Sequence, residues 1–200
     1  MLEVVAATRN KDKAKEIKRI LKDLNVRVLT LDNFKKLPQV IESGKTLEEN
    51  ASKKARVISR LIKRFTIADD SGLEVEALNG RPGVRSSRFA GNKASYSENN
   101  AKLLRMLKGL PLSKRKAGFA CAVSIAKNGK VLRTVRGACS GRIGFTLKGK
   151  SGFGYDPLFI VPKYGKTFAQ LGPKVKNRIS HRYKALKKAG KILKKLLKEA

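Results

Sequence analysis

The sequence predicts an α/β protein built on a mixed β-sheet, and three observations carry that prediction. The chain opens with an apolar run, a helical stripe and a second extended run. Further along, an Asn-Gly turn joins two long strand-like runs, and segments with helical spacing lie between these strands and beyond them. The first pattern builds parallel sheet, and the hairpin makes the sheet mixed.

Taken in order, Leu2 to Ala7 is apolar and stops at Thr8-Arg9-Asn10, after which Ile17, Ile20, Leu21 and Leu24 recur at helical spacing. Val26 to Leu31 alternates as a second strand, which completes a β-α-β unit and directs attention to the carboxyl edge of the sheet as a ligand site. Val40 to Gly44 contains Glu42. Thr46 with Glu49 forms a capping box for a helix whose stripe is Ala51, Ala55, Ile58 and Ile62, with Lys54 beside that stripe. After the Asp69-Asp70 pair, the segment to Gly91 reads as an ordered loop with short extended pieces, punctuated by Asn79-Gly80 and Pro82-Gly83. Ser97 and Glu98 open a helix carrying Leu103, Leu104 and Leu107, closed by Gly109 and Pro111. Phe119 to Ala126 and Val131 to Ala138 flank Asn128-Gly129 as a hairpin. A glycine-rich turn, Gly152 to Pro157, precedes an extended Leu158 to Val161, and Ser180 caps a last helix with the stripe Leu186, Ala189, Leu193 and Leu196 or Leu197.

Two hundred residues fit one domain, residues 1–200, with a sizeable core. No run reaches the roughly 18 apolar residues of a membrane span, and the opening residues read as a strand instead of an export signal, so an intracellular, cytoplasmic protein is expected. Cys121 and Cys139 lack metal-ligand spacing and read as small buried hydrophobes. The formal net charge is +32, with 47 Lys and Arg against 15 Asp and Glu. Such a surface attracts polyanions and allows non-specific nucleic-acid binding. The cations are spread along the predicted helices, and aromatic residues make up only 6% of the chain, so a solvated lysine-rich surface is the simpler reading.

Against that basic background, adjacent carboxylates at Asp69 and Asp70 call for a cation or a proton between them. Glu42, Asp69 and Asp70 each stand near the end of a predicted strand, and an all-oxygen set without histidine suits Mg²⁺, which keeps waters and bridges to phosphates. Thr8, Asn10 and Lys13 at the first strand-to-helix turn suit a phosphate, although Thr and Asn also cap ordinary helices. Phe153-Gly154-Tyr155-Asp156, Lys176, His181 and Arg182 supply a ring face, close backbone approach and donors. Donors aimed at a purine 6-position favour a 6-oxo base over adenine. A lone histidine at a helix start is otherwise a cap-region residue. Gly144 to Ser151 spells a phosphate-loop string, yet GFGYDP after it cannot start the required helix, so the match is fortuitous. Asn50-Ala51-Ser52 spells a glycosylation string inside a predicted helix and is discounted.

Together ATRNKDK, IESGKTLEENASKKA, ADDSGLEVEALNGRPGVRSSRFAG, GFGYDPLFIVP and KNRISHRYKAL resemble the inosine triphosphate pyrophosphatase family, the XTP/dITP diphosphatases, over nearly the whole chain. The resemblance implies an elongated α/β mixed sheet with flanking helices forming two lobes around a substrate cleft, in a homodimer. It also implies Mg²⁺-dependent hydrolysis of ITP, dITP and XTP to the monophosphate and pyrophosphate. By the same resemblance Thr8, Asn10, Lys13 and Lys54 hold the triphosphate, Glu42 and Asp70 bind metal, and Asp70 is also the general base. Ser71 touches substrate, while Phe153, Gly154, Tyr155, Asp156, Lys176, His181 and Arg182 form the nucleoside pocket. The chain departs from the family pattern at Arg9 for glycine, Arg85 for an aromatic, Gln170 for glutamate and Val175 for an acid. A basic nucleic-acid-binding protein on the same scaffold is the alternative reading.

Overall fold

The opening runs pair as their patterns require. In the computed structural model, which describes residues 2–22, 24–34 and 36–198, β1 (Leu2–Ala6) runs parallel to β2 (Val26–Thr30), from Leu2 opposite Val26 to Ala6 opposite Thr30. Between them lies α1 (Lys11–Ile20), capped by Asn10. Then follow α2 (Leu47–Ile62), β3 (Phe65–Val75), β4 (Pro82–Gly83), α3 (Tyr96–Met106), β5 (Lys116–Lys127) and β6 (Lys130–Ile143). The chain continues through β7 (Phe159–Val161), β8 (Lys166–Thr167), α4 (Phe168–Ile179) and α5 (His181–Lys198). The strands form one sheet in the order β2-β1-β3-β5-β6-β7-β8, with β4 against β3. β1 and β3 are parallel, while β3-β4, β6-β7 and β7-β8 are antiparallel, so the sheet is mixed as expected. Asn128 and Gly129 both have positive φ, the geometry of a two-residue hairpin turn between β5 and β6.

The chain divides into two compact units. The first comprises Met1–Asp70, Cys121–Gly137 and Arg182–Ala200. Because successive strand residues point to opposite faces, Val4, Ala6 and Ile67 pack with Ile17 and Leu21 of α1 and with Ala185, Leu186, Ala189 and Leu193 of α5. Val5, Ala7 and Ala68 pack with Ala55 and Ile58 of α2. The second unit comprises Ser71–Ala120 and Ala138–His181, and its core joins Leu73, Val75, Leu103, Leu107, Phe119, Tyr155, Phe159 and Phe168.

Four sequence expectations need correction. The segment after Asp70 does not begin as a loop with short extended pieces, because β3 continues unbroken through Ser71 and Gly72 to Val75. Gly72 makes this possible: a side chain there would strike the Gly83 carbonyl of β4. Glu42 is on no strand but in an irregular stretch before α2. The third helix begins at Tyr96, capped by Ser95 with Glu98 in a reciprocal box, instead of at Ser97. Finally, α4 lies where no helix was expected. Gly172-Pro173 reads as a breaker, and Gly172 does adopt non-helical angles (φ 73°), but helical turns continue on both sides of the kink. As expected, no helix follows Ser151, and Asn50 is fully buried in α2. No helix among the described residues is long and apolar enough to cross a membrane.

Candidate active site

Asp69 and Asp70 lie just past the last paired residues of the parallel β1-β3 ladder, Ala6 and Ile67, and strand alternation sends their side chains to opposite faces. That geometry separates the two carboxylates. Each then acquires its own surroundings.

Asp69 is the hub of a buried charge cluster on the α1/α5 face. Its Oδ2 is 3.1 Å from Lys13 Nζ and accepts a 3.1 Å hydrogen bond from Arg182 Nε, while the Arg182 guanidinium also pairs with Glu16. Burial alone would raise the Asp69 pKa, but Lys13, Arg182 and Lys54 together hold it well below the usual carboxylate range. Burial likewise opposes the charge on Lys13, and Asp69 more than compensates, leaving its pKa raised. For Arg182 the burial effect is again outweighed, here by Asp69 and Glu16.

Asp70 faces α2. Its Oδ2 accepts a 3.0 Å hydrogen bond from Asn50 Nδ2, and Asn50 Oδ1 in turn accepts from the Gly44 N–H at 2.8 Å. The opening turns of α2 thus organise the irregular stretch that carries Glu42. Lys53 Nζ donates to Ser43 Oγ at 2.9 Å, and Lys54 Nζ donates at 2.6 Å both to Glu42 Oε1 and to the Asp69 carbonyl. Gly44 approaches α2 so closely that a Cβ would lie 2.7 Å from that of Glu49. Thr46 caps α2 by accepting from the Glu49 N–H, whereas the Glu49 carboxylate accepts from the Lys45 N–H, one residue before the expected box partner. Burial raises the Asp70 pKa; the Lys54 and Lys13 charges pull the other way, and the Glu42 charge adds to the rise.

Thr8 and Asn10 face their own turn: Thr8 Oγ1 accepts from the Asn10 N–H, and Asn10 Oδ1 accepts from the N–H groups of Asp12 and Lys13. Arg9, which stands for a glycine, reaches the Leu37 carbonyl at 2.7 Å and is accommodated on the surface.

In the second unit, Asp156 Oδ2 takes a 2.6 Å contact from Lys176 Nζ and a 2.9 Å hydrogen bond from the Phe153 N–H. Lys176 Nζ also lies 4.5 Å from the centre of the Phe153 ring, a cation–π arrangement. Gly152, at φ +81°, lets the turn fold over Asp156, and any Cβ there would collide with that carboxylate. The Gly154 carbonyl accepts from Asn100 Nδ2 at 3.0 Å. Tyr155 is buried and donates to the Ser86 carbonyl at 2.9 Å, so its ring belongs to the core, and burial raises the pKa of its hydroxyl. The His181 ring is buried and stacked on Phe119 at 4.6 Å. Ser71 is half-buried at the start of this unit's part of β3. Gln170, standing for a glutamate, still completes the Thr167 capping box.

The structure therefore gathers Lys13, Lys54, Glu42, Asp70 and Arg182 around β3 in one unit, and Phe153, Gly154, Asp156 and Lys176 in the other. Sequence reasoning missed Asn50, Glu16 and Asn100. Asn50 had a signal: it precedes Lys54 by four residues and so shares its helix face. The pairing of Glu16 with Arg182 spans 166 positions and had none.

As a donor set for a metal, Glu42 and Asp70 are two hard oxygen ligands whose charges already act on one another. Among the described residues no three His, Cys, Asp or Glu cluster as a full cage. Two carboxylates fit an ion such as Mg²⁺ that keeps waters and shares phosphate oxygens.

A mixed sheet bearing buried carboxylates and lysines where its parallel pairing ends defines an α/β protein equipped to handle a charged ligand. The chain belongs to the Ham1 family, whose model matches residues 4–192. It is 48% identical over 195 residues to the dITP/XTP pyrophosphatase of Desulforamulus reducens, covering 98% of this chain and 97% of that one. Among solved structures it resembles a HAM1 protein from Coxiella burnetii (TM-score 0.86, 40% identity, both chains covered in full). It also resembles the Ham1 protein of Staphylococcus aureus (TM-score 0.84, 39% identity, covering 96% of this chain and 97% of that one).

Proposed function

We propose that this chain is a phosphoanhydride hydrolase that converts non-standard purine nucleoside triphosphates, ITP, dITP and XTP, to the monophosphate and pyrophosphate. Relatives named dITP/XTP pyrophosphatase, 48% identical over nearly all of both chains, support the substrate class. The observation that carries the chemistry is the setting of Asp70, a buried carboxylate raised above its usual pKa, held by Asn50, with Glu42 and Lys54 acting on it.

In this reading Asp70 accepts the proton of the attacking water as the α–β phosphoanhydride bond breaks, and Lys13 and Lys54 offset charge on the triphosphate. Glu42 and Asp70 would hold Mg²⁺, which would bind phosphate oxygens and reduce their negative charge. Thr8, Asn10 and Ser71 complete the substrate contacts, while Arg182, which the resemblance assigns to the nucleoside pocket, acts from the buried cluster by holding Asp69. Phe153, Gly154, Asp156, Lys176 and His181 receive the nucleoside, with Tyr155 supporting their turn from the core. Homodimer assembly and cytoplasmic action extend the proposal on the family resemblance. A binding protein without activity is not favoured, because Glu42, Asp69, Asp70 and Asp156 are all present.

Incubation with ITP and Mg²⁺ should release pyrophosphate, and Asp70→Asn should lower kcat by about 10²- to 10⁴-fold. Cleavage of ITP and XTP no faster than ATP, or an unchanged rate in Asp70→Asn, would defeat the assignment.

A further inference from the structure

The sequence shows the basic residues as scattered, but folding gathers part of them. Helices α1 and α5 lie side by side over one core, where Ile17 and Leu21 meet Ala185, Leu186, Ala189 and Leu193. Gly190 lets α5 pack closely on the turn that ends α1, since a Cβ there would be only 3.4 Å from Leu24 and 3.6 Å from Leu21. The outward surface of this pair is cationic along its length. From Lys184 to Lys198 α5 exposes seven lysines and contains no acid. Helix α1 exposes Lys11, Lys15, Lys18 and Arg19. Of its two acids, Glu16 is committed to Arg182.

We propose that the exposed α1/α5 surface is a docking face for double-helical nucleic acid, bound through its phosphate backbone without regard to sequence. The 18-residue helix α5 is about 27 Å long, and duplex carries roughly one charge per 1.7 Å of axis, so one row of lysines meets many phosphates at once. Three observations select this occupant. The apolar side of α5 is buried in the core, which leaves nothing to insert into a lipid interface. The face presents no stacking platform for unpaired bases: Tyr183 at its start is half-buried, with Lys187 Nζ 5.7 Å from its ring centre. The cations sit on a packed helix, so little ordering entropy opposes binding by an extended polyanion.

The test separates a localised face from diffuse charge. Binding of a labelled DNA duplex of about 20 base pairs is followed against salt, with an expected log–log slope of roughly −4 to −6. The triple variant Lys191→Gln/Lys194→Gln/Lys195→Gln keeps good helix formers, and it should reduce the slope by about 2.7 and weaken binding more than about tenfold. The control Lys163→Gln/Lys166→Gln/Lys174→Gln removes the same charge from exposed positions of the second unit and should retain binding. Equal loss in both variants overturns the proposal, as does absent duplex binding at about 0.15 M salt, where non-specific complexes still form. Binding to phosphatidylcholine–phosphatidylserine vesicles with the same triple dependence, in place of duplex, also overturns it. Pyrophosphate release from ITP should be unchanged in both variants. Failure of the wild-type chain to cleave ITP would bear on the proposed function alone.

Discussion

The two units handle buried charge in different ways. In the first, one acid serves several cations: Asp69 faces Lys13 and Arg182, and Arg182 is shared with Glu16. In the second, Lys176 and Asp156 form a pair, closed over by the Phe153 ring and N–H. A shared acid controls the position of more than one functional side chain, and its loss strands them together. A pair is a local clamp, and its loss strands one partner. The difference predicts that damage should spread in the first unit and stay confined in the second.

Asp69→Asn should have the largest effect. It keeps the shape but removes the acid that Lys13 and Arg182 share, leaving Arg182 with Glu16 and Lys13 with the charge of Asp70. Removing one partner of a buried ionic set costs about 3–5 kcal/mol. Urea unfolding should show that loss, and adding Lys13→Met should restore part of it because one stranded charge is then gone. If the double variant is less stable than Asp69→Asn by the full cost of Lys13→Met alone, the shared-acid picture fails.

Lys176→Met should cost somewhat less, about 3 kcal/mol, because Asp156 keeps the Phe153 N–H. Its functional signature should be local. The KM for ITP should rise more than kcat falls, since the proposed function assigns Lys176 to the nucleoside and not to the bond that breaks. An equal fall in kcat and kcat/KM with unchanged KM would place Lys176 in the chemistry instead.

Much of this comparison could be read before folding. The β-α-β opening, the Asn128-Gly129 hairpin and the stripe of α5 follow from local periodicity and turn chemistry, which act over a few residues. Asp69 and Asp70 stood out by type, but their division did not, because a strand running through Asp-Asp-Ser-Gly contradicts the turn preference of those residues. Tertiary context decided the matter: β1 pairs one side of β3, and Gly72 admits β4 on its further course. Helix α4 was hidden by Gly172-Pro173, although the Thr167 to Gln170 box marked its start. The charge partners were the least legible, because Asp69 and Arg182 are 113 positions apart and ion pairing leaves no periodic trace.

The smallest effect should distinguish the adjacent aspartates by the sign of their pH dependence. The folded pKa of Asp69 lies below its usual 3.8, so the unfolded chain binds more protons there; the stability it contributes is complete above 3.8 and is lost as pH falls toward the folded value. Asp70 is raised above 3.8, so the folded chain holds the extra proton, and its contribution is present below 3.8 and lost as pH rises through the folded pKa. Stability curves between pH 3 and 6 should therefore tilt in opposite directions when each residue is replaced by asparagine. Asp69→Asn removes a loss of about 1 kcal/mol on acidification to about pH 3, at 1.36 kcal/mol per unit below the unfolded pKa. Asp70→Asn removes an opposing gain confined to the window between 3.8 and the raised folded pKa. Parallel curves for the two variants would mean that Asp69 and Asp70 titrate as one coupled pair, and the separation by strand alternation would then have no electrostatic consequence.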